Sequence, residues 1–231
     1  MKDEIADYWN WRSSSYHEEF AEYMIEEIKI WEKIFSEILP ENKTLKVAEI
    51  GTGPGIVGLS LASMGHDVIG IDLSDEMVCK ASRNAEKLGI QAKFKQGDAE
   101  NLDLENDTYD LIISKYLMWT LPNPDKFLTE AQRLLTSGGK IVLIDGVWFS
   151  ENDESKEADR ENQFEEAYRD IKPNLPLAKD NTAEKVIKLI RQQGFTDSNW
   201  RYLTDYQEEY LLKYDSETVN AMPYIITAMK T

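Results

Sequence analysis

Cysteine is almost missing from these 231 residues, with Cys79 the single thiol. No disulfide framework and no thiolate metal site can therefore be built within one chain. Histidine is nearly as scarce: His17 and His66 are the only two, and neither stands in a metal-like or nucleophile-like grouping, so no metal site is expected. No apolar run approaches the ~18 residues needed to cross a bilayer. The opening Met1-Lys2-Asp3-Glu4 has no signal-peptide apolar core. Basic residues are in deficit, 26 against 43 acidic ones, for a formal net charge of -17. Such a field repels a phosphate backbone or an anionic membrane over a Debye length of about 8–10 Å. These absences argue against nucleic acid and membrane partners. They lead us to expect a cytoplasmic protein, monomeric or homodimeric, that meets a small molecule.

What is present is ordinary for a folded chain, with 42% hydrophobic and 10% aromatic residues. The length suits one substantial α/β domain with an appendage. Residues 1–44 read as a helical cap. Ser15 and Glu18 are spaced as a capping box, and Phe20, Met24, Ile28, Trp31, Ile34, Phe35 and Ile38 recur at helical spacing before Pro40 stops the run. Upstream lies the aromatic cluster Tyr8-Trp9-Asn10-Trp11-Arg12-Ser13-Ser14-Ser15-Tyr16, too aromatic for an idle tail.

Over 45–231 the texture is that of βαβ units. Strands are expected at 46–50, 67–71, 92–96, 109–114, 140–144, 198–203 and 224–229, and helices at 55–63, 75–88, 124–135 and 183–193, the last stopped by Gly194. No crossover helix is evident between the last two strands, so an antiparallel pairing at the sheet edge is expected. The acidic stretch 151–170 and the loop with Pro173 and Pro176 interrupt the alternation, and 147–182 reads as a lid insertion.

The chemistry starts at Val47-Ala48-Glu49-Ile50-Gly51-Thr52-Gly53-Pro54-Gly55-Ile56-Val57-Gly58, a strand entering a glycine-rich turn that opens a helix. Glycine tolerates positive φ and has no Cβ, so backbone N–H groups can approach a ligand closely. Gly53 to Gly58 also satisfies G-x-G-x-x-G, the dinucleotide fingerprint, which leaves an NAD(P)-dependent oxidoreductase as an alternative.

As a whole, the arrangement resembles motif I of class I S-adenosylmethionine-dependent methyltransferases, with Glu49 as the acidic residue two positions before the first glycine. The resemblance runs through most of the chain and is to the methyltransferase type 11 group, related to the ubiquinone/menaquinone-biosynthesis methyltransferases. It implies a Rossmann-like, doubly wound, mostly parallel seven-stranded sheet with an antiparallel C-terminal edge strand. It implies S-adenosylmethionine as cofactor and S-adenosylhomocysteine as product, held at Glu49, Gly51, Thr52, Gly53 and Gly55.

In Val68-Ile69-Gly70-Ile71-Asp72-Leu73-Ser74 it gives Asp72 the two ribose hydroxyls, since a carboxylate only accepts, with Leu73 beside it and Ser74 or Asp75 as helix cap. It places Met77 near the adenine, and Asp98, the Ala99 N–H and Glu100 at the adenine edge. Lys115, in Tyr109-Asp110-Leu111-Ile112-Ile113-Ser114-Lys115, borders the methionine half through backbone or stem. Its ammonium is a doubtful base. Leu134 to Ile144 matches the family's helix, glycine turn and fifth strand, with Gly138 and Gly139 structural. The amino-terminal cluster resembles an element that relatives fold over the cofactor, which would bring Tyr8, Arg12 and Tyr16 to it.

One departure stands out: where relatives carry His-Leu-Pro-Asp-Pro, this chain has Trp119-Thr120-Leu121-Pro122-Asn123-Pro124, so a base drawn from that histidine is absent. Lys115, Tyr16 and Trp119 are then the candidates near the methyl group, and Trp148 either lines an acceptor pocket or fills core. His66 is expected to be structural, and Glu165-Glu166 to be solvated surface. Methyl transfer from a sulfonium is an in-line displacement, for which proximity and orientation supply several kcal/mol, and the identity of the acceptor atom is left open. A noncatalytic S-adenosylmethionine-binding protein is the remaining alternative.

Overall fold

The structure, a computed structural model, describes residues 1–15, 21–146, 166, 168–212 and 222–231. Tyr16, His17, Trp148, Glu165, the second half of the capping box and most of the acidic stretch lie outside the described residues.

Val47, Ala48 and Ile50 are fully buried in β1 (Lys46–Ile50), because a parallel strand covered on both faces must be apolar throughout. It lies between β2 (Asp67–Asp72) and β4 (Tyr109–Lys115), with β3 (Lys93–Gln96) beyond β2 and β5 (Leu135–Asp145) beyond β4, all parallel. The sheet order is β3-β2-β1-β4-β5-β7-β6. The C-terminal β7 (Tyr224–Met229) is antiparallel, as expected, to both β5 and β6 (Thr196–Tyr202). Its place corrects the expectation in one respect, since β7 inserts one position inside and β6 forms the edge. The physical reason lies in composition: Tyr224, Ile225, Ile226 and Ala228 are buried, whereas β6 (TDSNWRY) tolerates water.

Helices cover both faces. On one, α2 (Ala21–Ile38) and α3 (Ile56–Ser63) pack Trp31, Phe35, Leu59 and Leu61 against Val47, Leu111, Ile113 and Ile144. On the other, α5 (Pro124–Leu134) and α6 (Ala183–Gln192) pack Phe127, Leu128, Val186 and Ile190 against Ala48, Ile112, Ile141 and Leu143. Between them in sequence, α4 (Asp75–Leu88) starts at Ser74, whose Oγ accepts from Met77 N, and ends at Gly89 in the left-handed region.

The aromatic cluster is itself helical, on α1 (Lys2–Ser13). This helix lies across the carboxyl edge of the sheet. Lys2 Nζ reaches Asp98 after β3, Ser74 Oγ donates to Asn10 Oδ1, and Lys80 Nζ donates to the Ser13 carbonyl. His66 is structural: its Nδ1 accepts from Leu45 N at 3.2 Å.

Candidate functional site

Strand order reverses between β1 and β4, and open α/β sheets bind ligands at the carboxyl ends of strands where such a reversal occurs. The glycine loop sits there. Gly51, Gly53 and Gly55 all have positive φ. A Cβ on Gly53 would meet nothing within 4 Å, so glycine is needed at Gly53 for its left-handed backbone, and the space beside it is open to a ligand.

Behind the loop, Glu49 is buried, and its Oε2 accepts from Thr52 Oγ1 and, at 3.0 Å, from Gly58 N. A Cβ on Gly58 would fall 2.5 Å from that oxygen, which explains the glycine in the first turn of α3. Burial pushes the Glu49 carboxyl up to about 8, against the opposing pull of its Thr52 and Gly58 donors and of Lys115.

Asp72 closes β2 beside the loop. Gly53 N donates to its Oδ2 at 2.8 Å and Ser74 N to its Oδ1 at 2.9 Å. Burial raises its pKa despite these donors. Leu73 N is a further donor to it, and the four lone pairs of a carboxylate leave room for a ligand hydroxyl beside these three. Asp98 stands past β3, with Glu100 N on Oδ1 at 2.9 Å and Lys2 Nζ on Oδ2 at 2.7 Å. Lys2 also pairs with Glu100 Oε2 at 2.7 Å, and Glu100 accepts from Asn123 N and Nδ2. Met77 is 2% exposed, packed into core under the start of α4.

On the β4 side, Lys115 ends the strand, and its ammonium turns toward α2, 2.8 Å from Glu27 Oε1. Met118 N donates to the buried Asp145 Oδ2. That contact fixes the turn carrying Trp119, which meets Tyr168 at 5.9 Å between ring centroids, and Tyr168 meets Tyr8 edge-on at 4.9 Å. Ile5, Leu73, Ile171, Leu175 and Ala178 complete this cluster, so α1 and 168–178 share one apolar contact above the sheet. Arg12 donates to Ser15 Oγ at 2.6 Å.

Glu49, Gly51, Thr52, Gly53, Gly55, Asp72, Leu73, Asp98, Ala99 and Glu100 thus share the carboxyl edge that α1 crosses with Tyr8. Lys2, Asn10, Glu27, Tyr168 and Asp145 escaped the sequence reading. Only Glu27 left a local signal, as a charge on the apolar stripe of Met24, Ile28 and Trp31. Among the described residues no His/Cys/Asp/Glu group could hold a metal ion, and no helix is long and apolar enough to cross a membrane.

Comparison with known proteins gives this geometry its relatives. A phosphatidylethanolamine N-methyltransferase of Cereibacter sphaeroides is 33% identical over 101 residues, 43% of this chain and 49% of that protein. A ubiquinone biosynthesis O-methyltransferase of Maricaulis maris is 29% identical over 99 residues, 42% of this chain and 39% of its own length. The matches thus span half or less of these curated relatives. In fold, the chain is similar to Haemonchus contortus phosphoethanolamine N-methyltransferase 2, solved with S-adenosyl-L-methionine, at a TM-score of 0.64 and 18% identity over 88% of this chain and 56% of that one. The family described as "Methyltransferase domain" matches residues 41–208, well over half the chain and including every strand from β1 to β6. By that match the chain belongs to the methyltransferase-domain family.

Proposed function

We propose that this chain is an S-adenosylmethionine-dependent methyltransferase that acts on a small-molecule acceptor and releases S-adenosylhomocysteine. The observation that carries the reading is the alignment, along one sheet edge, of an open left-handed glycine loop and two acceptor-only carboxylates, Asp72 and Asp98. Two hydroxyls of a ribose and the amino edge of an adenine are the complementary donors. A nicotinamide dinucleotide carries an adenosine that would satisfy the same two carboxylates, and the methyltransferase-domain match over residues 41–208 favours the sulfonium cofactor over it.

The cofactor supplies a methyl group made electrophilic by its sulfonium sulfur. The protein's part is to bind, orient and exclude water. Gly51 to Gly55 form a turn that its own hydrogen bonds to Ile71, Asp72 and Thr52 hold rigid and that Glu49 backs, with the space beside Gly53 left to the cofactor, and Asp72 and Asp98 fix the two ends of the nucleoside. The Tyr8–Tyr168–Trp119 cluster walls the approach from which an acceptor comes, and α1, tied down at Lys2, Asn10 and Ser13, keeps water out. Holding an acceptor atom about 3–3.5 Å from the methyl carbon in line with the breaking bond supplies most of the acceleration, so no strong base is required.

The relatives' names include both nitrogen and oxygen methylation, and the proposal is confined to small molecules as a class. Calorimetric titration with S-adenosylmethionine, S-adenosylhomocysteine and NAD tests the reading. Micromolar binding of the first two is expected, and binding of NAD alone would overturn it. Transfer of a labelled methyl group to a component of a metabolite extract then tests catalysis.

A further inference from the structure

Polar side chains that the cofactor does not use collect where β4 and β5 end and β7 begins. Asp145 closes β5 and is fully buried. Gly146 N donates to its Oδ1 at 2.9 Å, and Met118 N to its Oδ2 at 3.1 Å. Asn181, 2% exposed, is held in the same corner: its Nδ2 donates to the Gly146 carbonyl at 3.1 Å, and its own carbonyl accepts from Tyr224 Oη at 2.9 Å. Tyr224 is the residue paired with Asp145 across β5 and β7. The Asn181 amide is thereby oriented, and its Oδ1 is buried with no hydrogen-bond partner among the described residues. Ser114 Oγ is in the same condition and on the same face of the sheet, since Ser114 pairs with Leu143, two residues before Asp145. A buried acceptor without a donor carries its desolvation penalty in full, so such an atom calls for a donor from outside the chain. The corner adjoins the crevice: β5 lies two strands, about 10 Å, from β1, whose end opens into the glycine loop. The turn carrying Trp119 hangs from Asp145 itself through Met118 N.

Resting on the methyltransferase reading above, we propose that this corner receives the methyl acceptor and that the acceptor is an amine methylated on nitrogen, its N–H bonds taken by the Asp145 carboxylate and Asn181 Oδ1. An amide oxygen and an ionised carboxylate only accept, so the two together ask for a ligand atom with two hydrogens to donate. The nitrogen of a primary amine in its free-base form has both and keeps a lone pair for the methyl carbon. A hydroxyl has one hydrogen and leaves one acceptor unpaired. The nitrogen lone pair forms the C–N bond as the S–C bond breaks and its electron pair returns to sulfur. The positive charge passes from sulfur to nitrogen, where the Asp145 carboxylate offsets it, and the product leaves as the methylated ammonium. Ser114 adds a hydroxyl to the floor of the corner, and Trp119 sets a ring beside it.

The test uses the full chain, S-adenosylmethionine labelled in its methyl group, and a small-metabolite extract that is either untreated or N-acetylated with N-hydroxysuccinimide acetate and then treated with hydroxylamine to free its hydroxyls. Label is expected to enter the untreated extract, on a nitrogen located by tandem mass spectrometry, and to be lost after acetylation. Asn181→Leu, which removes the orphan acceptor, is expected to raise the extract concentration needed for half-maximal labelling at least about tenfold, with the Kd for S-adenosylmethionine unchanged. Asp145→Asn, which keeps the shape of the side chain, is expected to do the same and to lower the maximal rate as well. Label that persists in the acetylated extract, or that sits on oxygen, carbon or sulfur, overturns the proposal and leaves the methyltransferase reading intact. So does an Asn181→Leu variant that labels the extract as the wild type does, which makes Oδ1 the seat of a buried water only, or one that loses cofactor affinity in parallel, which makes the corner structural. No labelling of the untreated extract by protein that binds the cofactor overturns both.

Discussion

At the scale of single residues, the site is a set of acceptors that await donors. Asp72 offers the clearest case: its oxygens hold the loop through Gly53 N and Ser74 N, and a carboxylate can accept more donors than these. Asp72→Ala is expected to weaken S-adenosylmethionine binding by about 1.5–3 kcal/mol, the range for hydrogen bonds to a charged group. Unchanged affinity in calorimetry would remove Asp72 from the ribose. Glu49 carries a pH signature. Its folded pKa of about 8 lies above the ordinary glutamate value of 4.5, so its contribution to stability is fully present below pH 4.5 and is lost as pH rises through 8. Relative to wild type, Glu49→Gln is therefore expected to gain stability between pH 5 and 9, measured as the difference in urea midpoints. A flat difference would mean that Glu49 ionises normally. The places of Asp72 at the end of β2 and of Asp98 past β3 were legible in the sequence because the motif fixes their spacing from the strands. Lys2 and Glu27 were not, because their partners lie 96 and 88 residues away.

At the scale of elements, α2 and α3 decide whether the loop has a floor. Trp31 of α2 is fully buried, stacked with Phe35 and against Tyr206. Trp31→Ala is expected to cost roughly 3–5 kcal/mol of folding stability, read by chemical denaturation; a loss under 1 kcal/mol would show that α2 is a dispensable cover. Gly58 of α3 makes a different point. Alanine there would ordinarily favour a helix by about 1 kcal/mol, yet its Cβ would fall 2.5 Å from Glu49 Oε2. Gly58→Ala is thus expected to weaken cofactor binding, and binding as tight as wild type would show that Glu49 can turn away without consequence. The extents of α4 and α5, expected at 75–88 and 124–135, were readable to within a residue, since caps such as Ser74 are local chemistry. The docking of α1 was not, because it owes its place to contacts with α4 and 168–178.

At the scale of the whole molecule, the net charge of -17 is the dominant long-range property. Like charges repel across the folded surface, and salt screens that repulsion within about 10 Å at 0.1 M. The melting temperature is expected to rise between 20 and 300 mM sodium chloride; a fall would mean that specific ion pairs such as Lys2 with Asp98 and Glu100 outweigh the net charge. The same field argues for a neutral or cationic acceptor.

The sequence by itself determined what is local: which segments alternate as strands, where the glycine turn falls, and which acids follow β2 and β3, because periodicity, capping and turn chemistry act over a few residues. Only the tertiary structure decided that β7 slips between β5 and β6, that α1 roofs the crevice by way of Lys2, and that Lys115 turns from the crevice into a cage with Glu27. Each of these is a choice among partners distant in the chain, made by burial and by pairing of charge, and no window of sequence contains both sides of it.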